Sequence, residues 1–207
     1  MSTAPIVRLD RNQYSQARAT IGRAFGQYNL MVYAAPRDSV RLPAVTSLYG
    51  AILNDAFRHG EVYTLGDSLG VACWLPPPSS TPTFWRQAQS GMLALPWHFG
   101  LAGFKKLTAF DDVARRLHHD YAPMSHWYLA AIGVEPTHQG QGIGSALMRP
   151  MLEQADRDGL HCWLDTHQDE NVRLYQRHGF EVSERVTLPG HPIPVYGMLR
   201  RPKPANS

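Results

Sequence analysis

The sequence predicts a mixed α/β (α+β) fold in which a central sheet is flanked by helices. Short apolar stretches with strand character alternate with longer stretches in which apolar residues recur at helical spacing. The predicted order is β-α-α-β-β, then a helical segment, then β-α-β-α-β-β. A chain of 207 residues can bury one core, so we expect a single domain over residues 1–207.

Composition narrows the class of protein. The chain is 43% hydrophobic and 18% charged, as is typical of a folded soluble protein. Its net charge of +3 comes from scattered residues without a basic stripe, so no nucleic-acid partner is expected. The N-terminus lacks the pattern of a signal peptide and no run of 18 apolar residues occurs, so we expect a cytoplasmic protein without a membrane partner.

The two cysteines predict neither a disulfide framework nor a metal site. Cys73 and Cys162 lie far apart in sequence without a CxxC spacing, and the histidines form no HExxH motif. We expect two reduced, buried thiols and no bound metal.

The first 60 residues predict a strand followed by two helices. The strand is PIVRL at 5–9, and Asp10 with Gln13 has the spacing of a capping box before the first helix. After a loop, Pro43 is expected to open the second helix and Gly60 to end it.

Two further strands are predicted at 61–65 and 69–75, joined by a GDS turn and stopped by prolines 76–78. Residues 66–70 also match the GxSxG motif of serine hydrolases. That motif requires a strand that turns sharply into a helix, whereas a second strand follows here, so we reject a serine hydrolase.

Residues 83–120 predict two or three short helices rich in aromatic side chains. We expect this helical insertion to form a wall or lid of a substrate site, with Trp85 as a candidate contact. A packed helical layer or a dimer surface is the alternative, so a homodimer is left open.

The last 80 residues predict alternating strands and helices. The strand at 126–134 is almost continuously apolar, which is typical of burial on both faces. The other predicted elements are a helix at 142–156 that contains Pro150, a buried strand at 160–165, a short helix at 170–179, and a strand pair at 180–188 and 194–200.

A glycine-rich turn at 138–147 lies between the strand at 126–134 and the next helix. The unpaired N–H groups of a first helical turn attract anions, and Gly140, Gly142 and Gly144 would let phosphate oxygens approach the backbone. Alternatively, Gly140 only makes the turn and the other two allow close helix packing. No P-loop string occurs, and Ser145 replaces the third glycine of the dinucleotide fingerprint, which disfavours a nucleotide-dependent oxidoreductase.

The string Gln139-x-x-Gly142-x-Gly144 resembles the [RQ]-x-x-G-x-[GA] motif with which the GNAT superfamily of N-acetyltransferases binds the pyrophosphate of acyl-CoA. The flanking strands and the ENVRLYQRHGFEV stretch at 170–182 resemble the family's fourth and fifth strands and second signature. The resemblance covers 127–182, which would form the core motifs. It implies a mostly antiparallel central sheet whose fourth and fifth strands splay apart.

The resemblance also implies a site for acetyl-CoA as co-substrate. The main chain of Ile132, Gly133 and Val134 would bind the pantetheine arm, and Asn171 would orient that arm or Tyr175. The pyrophosphate would be held by Gln139, Gly140, Gln141, Gly142, Ile143, Gly144 and Ser145.

Tyr175 lies at the family's position for the acid that protonates the sulfur of CoA. The implied activity is acetyl transfer to a primary amine of a small-molecule acceptor. A non-catalytic acyl-CoA-binding domain and a protein N-acetyltransferase remain as alternatives. Tyr175 as a core tyrosine and Asn171 as a helix-start residue are the corresponding structural alternatives.

No general base is evident, although an alkyl amine needs one because only about 0.1% of it is neutral at pH 7. Some family members carry Glu or His on the fourth strand, where this chain has Tyr128 and Ala130. Asp165 is the best candidate for binding a cationic acceptor. The alternative is an ordinary structural role at the end of its strand. His126 is the next candidate, although an isolated histidine beside an apolar strand is usually structural.

Overall fold

The computed structural model describes residues 5–66, 68–77 and 83–203. Its centre is a seven-stranded sheet in the order β1-β2-β3-β4-β5-β7-β6, in which only β4 and β5 run parallel. The strands are β1 (Ile6–Arg8), β2 (Glu61–Leu65), β3 (Gly70–Leu75), β4 (His126–Val134), β5 (His161–Thr166), β6 (Phe180–Thr187) and β7 (Pro194–Arg200). The predicted mixed and mostly antiparallel sheet is therefore confirmed.

Helices cover both faces of this sheet. They are α1 (Tyr14–Phe25), α2 (Asn29–Ala34), α3 (Asp38–His59), α4 (Phe84–Ser90), α5 (Leu95–Tyr121), α6 (Ile143–Asp158) and α7 (Asp169–Gln176). Alternation along β3 divides the core: Val71 and Cys73 pack in the cluster that contains α1 and α3, and Ala72 and Trp74 pack in the cluster that contains α6. Cys73 and Cys162 are buried free thiols, as expected.

The chain between α1 and α3 differs from the prediction. A short helix, α2, occupies the expected loop, and α3 begins at Asp38, before Pro43. Arg41 gives the physical reason, because its buried guanidinium donates to the carbonyl oxygens of Ala35 and Pro36, both at 2.8 Å, and fixes the turn into α3. Asp38 in the first turn also favours the positive end of the helix dipole.

Of the other predicted boundaries, Gly60 ends α3, β2 and β3 pair as an antiparallel hairpin, and α6 runs on through Pro150 to Asp158. Asp67 in the predicted GDS turn and Pro78 in the predicted strand stop lie outside the described residues.

The helical insertion at 83–120 forms α4, a 3₁₀ turn and the long helix α5. Gly100 interrupts α5 with φ 67° and ψ 167°, values that are not helical. The segment lies against α2 and α3 and reaches β7, so it covers the sheet face that carries α1 and α3.

The apolar run of β4 predicts burial on both faces, but the strand is not buried evenly. Ala130 forms a β-bulge, since Leu129 pairs with Trp74 and Ala131 with Cys73 while Ala130 has no partner on β3. Tyr128, Ala130 and Ile132 keep partial exposure because they line a cavity. Bulges of this kind often re-aim side chains beside functional sites.

Candidate active site

β4 and β5 separate halfway along β4. Their parallel pairing covers three pairs and ends at Tyr128 and Trp163, after which β4 continues to Val134 paired with β3 and β5 continues paired with β7. The edge of β4 from Leu129 onward therefore faces a gap in the sheet. Backbone groups at such an edge can bind an extended ligand as an added strand would, which suits the predicted role of Ile132, Gly133 and Val134.

The glycine-rich turn leads directly from this gap into α6. Gly140 and Gly142 have φ of 75° and 82°, which favours glycine, and a Cβ on either would meet open space. Gly142 caps α6 without a side-chain hydrogen bond, and the backbone bond from Ala146 N–H to the Gly142 carbonyl, at 3.0 Å, begins the helical ladder. The N–H groups of the first turn of α6, before Ala146, have no partner in the helix and can bind an anion.

Other residues of the turn have different surroundings. Gly144 is helical, and a Cβ there would make ordinary contacts of 3.8–4.0 Å with Leu174, Ile132 and Val134. The side chain of Gln139 donates to the Val134 carbonyl at 3.1 Å, and Ser145 Oγ lies 2.8 Å from His178 Nε2. Gly140 and Gly142 are thus required by the backbone conformation, whereas Gly144 is not.

Asn171 and Tyr175 line the cavity from α7, one helical turn apart. Asn171 Nδ2 lies 3.4 Å from the hydroxyl of Tyr28. Tyr175 is buried, packs edge-on against Phe180, and its hydroxyl makes no hydrogen bond with the described residues. Burial, with the nearby Tyr28 and Asp165 adding to it, raises the pKa of Tyr175 far above its ordinary value, so the phenol stays protonated.

The cavity in front of these residues has a volume of about 570 Å³. Its walls are mostly aromatic and aliphatic, its carboxyl groups are Asp111 and Asp165, and no Lys or Arg within the described residues lines it. Lining side chains from α1 to α5 include Phe25, Tyr28, Leu48, Tyr49, Phe104 and Phe110.

Asp165 and Tyr128 form a hydrogen-bonded pair in this cavity. The Tyr128 hydroxyl donates to Asp165 Oδ1 at 2.7 Å. Burial raises the pKa of Asp165 to about 6; the charge of Asp111 adds to the shift and the bond from Tyr128 opposes it. Burial and the charge of Asp165 hold the pKa of Tyr128 well above its usual value, so the pair carries one negative charge at pH 7.

A smaller chamber of about 190 Å³ adjoins the cavity and shares Asp111, Tyr128 and Asp165 with it. His118 lines this chamber, and His126 lies behind it with their Nε2 atoms 2.7 Å apart. His126 Nδ1 is 2.6 Å from the Met124 carbonyl. The structure therefore places His126 as a support for His118 and not on the cavity wall.

Trp85 is also separate from the cavity. Its side chain is 73% exposed, packs edge-on against Phe84, and is absent from the lining. The helical insertion lines the cavity mainly through α5, on a face that includes Leu107, Phe110, Asp111 and Ala114, and also through Gln87 of α4 and the 3₁₀ turn.

Sequence reasoning missed Asp111, Phe110, Tyr28 and Tyr49 as site residues. For Phe110 and Asp111 a signal existed, since Leu107, Phe110, Asp111 and Ala114 follow i, i+3, i+4, i+7 spacing and so place an aspartate on an apolar helix face. Tyr28 and Tyr49 carry no such signal.

Neither of two other kinds of site is found. In the part of the chain that the structure describes, no group of three or more His, Cys, Asp or Glu side chains could hold a metal ion. Over the same residues, none of the helices has the length and apolar character needed to span a membrane.

The splayed strands β4 and β5 and the glycine turn before α6 are the features of an acyltransferase fold. The profile of the "Acetyltransferase (GNAT) family" matches residues 52–180, so the chain belongs to that family, whose members in general use acetyl-CoA as co-substrate. The chain is 24% identical to an uncharacterized N-acetyltransferase of Schizosaccharomyces pombe over 95% of this chain and 83% of that protein.

Solved structures share the fold. A protein described as histone acetyltransferase HPA2 and related acetyltransferase, from Corynebacterium glutamicum, has a TM-score of 0.70 at 19% identity and covers 99% of both chains. A putative arylalkylamine N-acetyltransferase 7 from the mosquito Aedes aegypti has a TM-score of 0.64 at 17% identity, over 95% of this chain and 86% of that one.

Proposed function

We propose that this enzyme transfers the acetyl group of acetyl-CoA to the primary amine of a small-molecule acceptor, with Tyr175 as general acid. The observation that carries the proposal is a continuous path. Along the chain it runs from the cavity lined by Tyr175, Asp165 and Ile132, over the free edge of β4, into the glycine turn before α6.

The donor half of the path fits acetyl-CoA. The first-turn N–H groups of α6 bind the pyrophosphate, where Gly140 and Gly142 leave open space. The exposed edge of β4 binds the pantetheine arm from Ile132 to Val134, and Asn171 orients the arm near Tyr175. The thioester supplies an activated acetyl group with a thiolate leaving group.

Tyr175 donates the proton that the thiolate needs. Its hydroxyl is free of other hydrogen bonds among the described residues and lines the cavity. The burial that raises the pKa of Tyr175 acts equally on a thiolate beside it, so neither anion gains from the environment and the proton moves as the C–S bond breaks.

The acceptor half favours a small molecule over a protein chain. The cavity is lined by six α-helices and two strands, which leaves room for a compact amine but requires an extended peptide to enter through the helical wall. A protein acceptor is therefore the second candidate.

A direct assay tests the proposal. Purified enzyme with acetyl-CoA and a panel of primary amines should release free CoA thiol only when an amine is present, with an amine product 42 Da heavier, the mass that one acetyl group adds. Acetyl-CoA that raises the melting temperature without any acetylated product would instead support a non-catalytic binding domain. Absence of both binding and product would refute the proposal.

A further inference from the structure

The acceptor must lose a proton before it attacks, and one side-chain pair in the cavity is placed to take it. The residues of β4 that line the cavity are Tyr128 and its four aliphatic neighbours Leu129, Ala130, Ala131 and Ile132, and none of them is a base at neutral pH. The remaining candidates are the carboxylates of Asp111 and Asp165 and the imidazole of His167, whose Nε2 has no partner among the described residues. Burial lowers the pKa of His167 to about 4, so its imidazole is a weaker base than Asp165. Asp111 lies at the exposed outer side, with its side chain 64% exposed and Arg115 Nε 3.1 Å from its Oδ2.

Asp165 differs from Asp111 in both its exposure and its partner. It stands on β5 where the sheet opens, between Tyr175 on one side and the helical wall on the other. Within the described residues, Tyr128 is the only side chain that donates to it, and it does so to Oδ1 alone. The second oxygen is thus available to a ligand in the cavity.

The surroundings of Asp165 are those of a buried anion that lacks a cation. No Lys or Arg among the described residues lines the main cavity, and Arg115, which lines the adjoining chamber, is paired with Asp111 and Asp112. An isolated buried charge is costly. An ammonium group would supply the missing partner. Transfer of its proton to the carboxylate would then remove both charges from the apolar cavity before the amine attacks.

The walls around the pair define the rest of the acceptor. Phe25, Tyr49, Phe104 and Phe110 with several leucines and methionines leave few polar partners for a second charged group. A further ammonium would lack a carboxylate at depth, and an acceptor carboxylate would lie beside Asp165.

We propose that Asp165, oriented by Tyr128, binds the acceptor ammonium and takes its proton, and that the cavity selects a primary amine whose remaining surface is apolar. This inference rests on the proposed acetyltransferase function. The ammonium gives up two protons: one goes to Asp165 and then to solvent. The other passes from nitrogen to solvent as the C–N bond forms and the C–S bond breaks. Tyr175 gives its proton to the sulfur and regains one from solvent, so each turnover releases one proton net.

Of the described residues, three charged side chains line the two cavities beside Asp165: Asp111 and Arg115, which pair with each other, and Asp55, which pairs with Arg86. The histidines and tyrosines there stay uncharged over the assay range. Burial lowers the pKa of His118 and of His167 to about 4, so both are neutral above pH 5. Burial also raises the pKa of Tyr49, Tyr128 and Tyr175. An acidic limb of kcat/KM near pH 6 in the wild type would therefore report Asp165 or Asp111, and the Asp111→Asn variant separates the two.

The test compares two amines of the same shape. The acceptors are 2-phenylethylamine and 2,2-difluoro-2-phenylethylamine, whose fluorines lower the ammonium pKa so that it needs no base at pH 8. Asp165→Asn should lower kcat and kcat/KM for 2-phenylethylamine by about 10² to 10⁴, but by less than about tenfold for the fluorinated amine. The acidic limb should disappear in Asp165→Asn and persist in Asp111→Asn.

Tyr128→Phe keeps the ring and removes the donor. It should reduce kcat for 2-phenylethylamine by about tenfold and shift the acidic limb upward, because the bond from Tyr128 lowers the pKa of Asp165. Equal losses with both amines, or a loss confined to KM with the acidic limb unmoved, would overturn the role of Asp165 as base.

Charged relatives of the acceptor test the apolar walls. Wild-type kcat/KM should be at least about 10² higher for 2-phenylethylamine than for spermidine or phenylalanine, since each of these buries an unpaired charge. A preference for spermidine or phenylalanine would overturn the substrate class but leave the acetyltransferase function intact. Failure of the wild type to bind acetyl-CoA or acetylate any amine would instead refute the proposed function itself.

Discussion

The two halves of the site are built in different ways. The proposed donor half lies mainly on one continuous stretch, from the free edge of β4 through the turn at Gly140 and Gly142 into α6, and would present mainly backbone groups, with the Asn171 side chain added from α7. The acceptor half is assembled from side chains of α1 to α5, β4, β5 and α7 that are far apart in sequence. Tyr128 and Asp165 alone are 37 positions apart.

This difference in construction determines which function each half can have. Backbone N–H groups on a fixed turn bind any pyrophosphate in the same way, so a local pattern is enough to specify the donor. Selection of one amine depends on the shape and charge of side chains, which change independently on each contributing element. The experiments below separate the two halves, beginning with the largest expected effect.

The strongest effect should come from Tyr175, where the halves meet. Tyr175→Phe removes the acidic proton and keeps the ring, so kcat should fall by about 10² to 10⁴ while acetyl-CoA binding and melting temperature stay nearly constant. Steady-state kinetics with a calorimetric titration of acetyl-CoA would check this.

Tyr49→Phe is the matched control. Tyr49 is a buried tyrosine of the same cavity that stacks on Phe25 with 3.7 Å between ring centroids. Its loss should leave kcat within a few-fold. If both variants lose activity equally, Tyr175 is not a specific acid, and a packing role explains the effect.

The donor half is tested by a charge at the start of α6. Acetyl-CoA at 100 times its Kd should stabilise the wild type by about 2.7 kcal/mol, and Gly144→Glu should abolish that gain by placing a carboxylate among the pyrophosphate-binding N–H groups. Gly144→Ala should retain it, because a Cβ there makes only ordinary contacts. Gly142 is unsuitable for this purpose, since its φ of 82° would strain any replacement.

Melting curves of Gly144→Glu also show whether the variant is folded and whether acetyl-CoA still stabilises it. A glutamate in the first turn favours the helix dipole, so Gly144→Glu should melt no lower than wild type without ligand. An unchanged ligand shift in a folded Gly144→Glu variant would place the pyrophosphate elsewhere.

The buried carboxylate of Asp165 in the acceptor half should lower the free energy of unfolding at neutral pH. A carboxyl whose pKa rises on folding destabilises the protein as pH increases from its unfolded pKa of about 4 through its folded pKa of about 6. At pH 8, Asp165→Asn should therefore exceed the wild type in free energy of unfolding by about 3 kcal/mol, and the advantage should vanish near pH 4. Urea unfolding at both pH values measures it; a pH-independent difference would contradict the raised pKa.

Local patterns predicted much of the fold, including the glycine turn and the helix on which the proposed donor half depends. The apolar run at 126–134 and the PVYGMLR stretch predicted the bounds of β4 and β7. The glycine turn was predicted together with the helix that follows it. Prediction was wrong where tertiary contacts decide, as where buried Arg41 fixes the start of α3 ahead of Pro43.

The acceptor half was only partly predictable, for the same reason. Asp165 was a candidate because it is a carboxylate at the end of a buried strand, and the structure places it on the cavity wall. Its partner Tyr128 and the wall residue Phe110 become site residues only through the bulge in β4 and the packing of α5 across the sheet. Trp85, chosen for its aromatic character, is instead an exposed side chain of α4.

The most direct test of a single site shared by donor and acceptor is the affinity of a conjugate in which an acetyl bridge joins CoA to 2-phenylethylamine. The account predicts that it binds at least about 10² tighter than acetyl-CoA, because the second contact becomes intramolecular. Phe110→Ala should weaken the conjugate about three- to tenfold and leave acetyl-CoA unchanged, whereas Trp85→Ala should affect neither. A conjugate that binds no more tightly than acetyl-CoA would contradict the account.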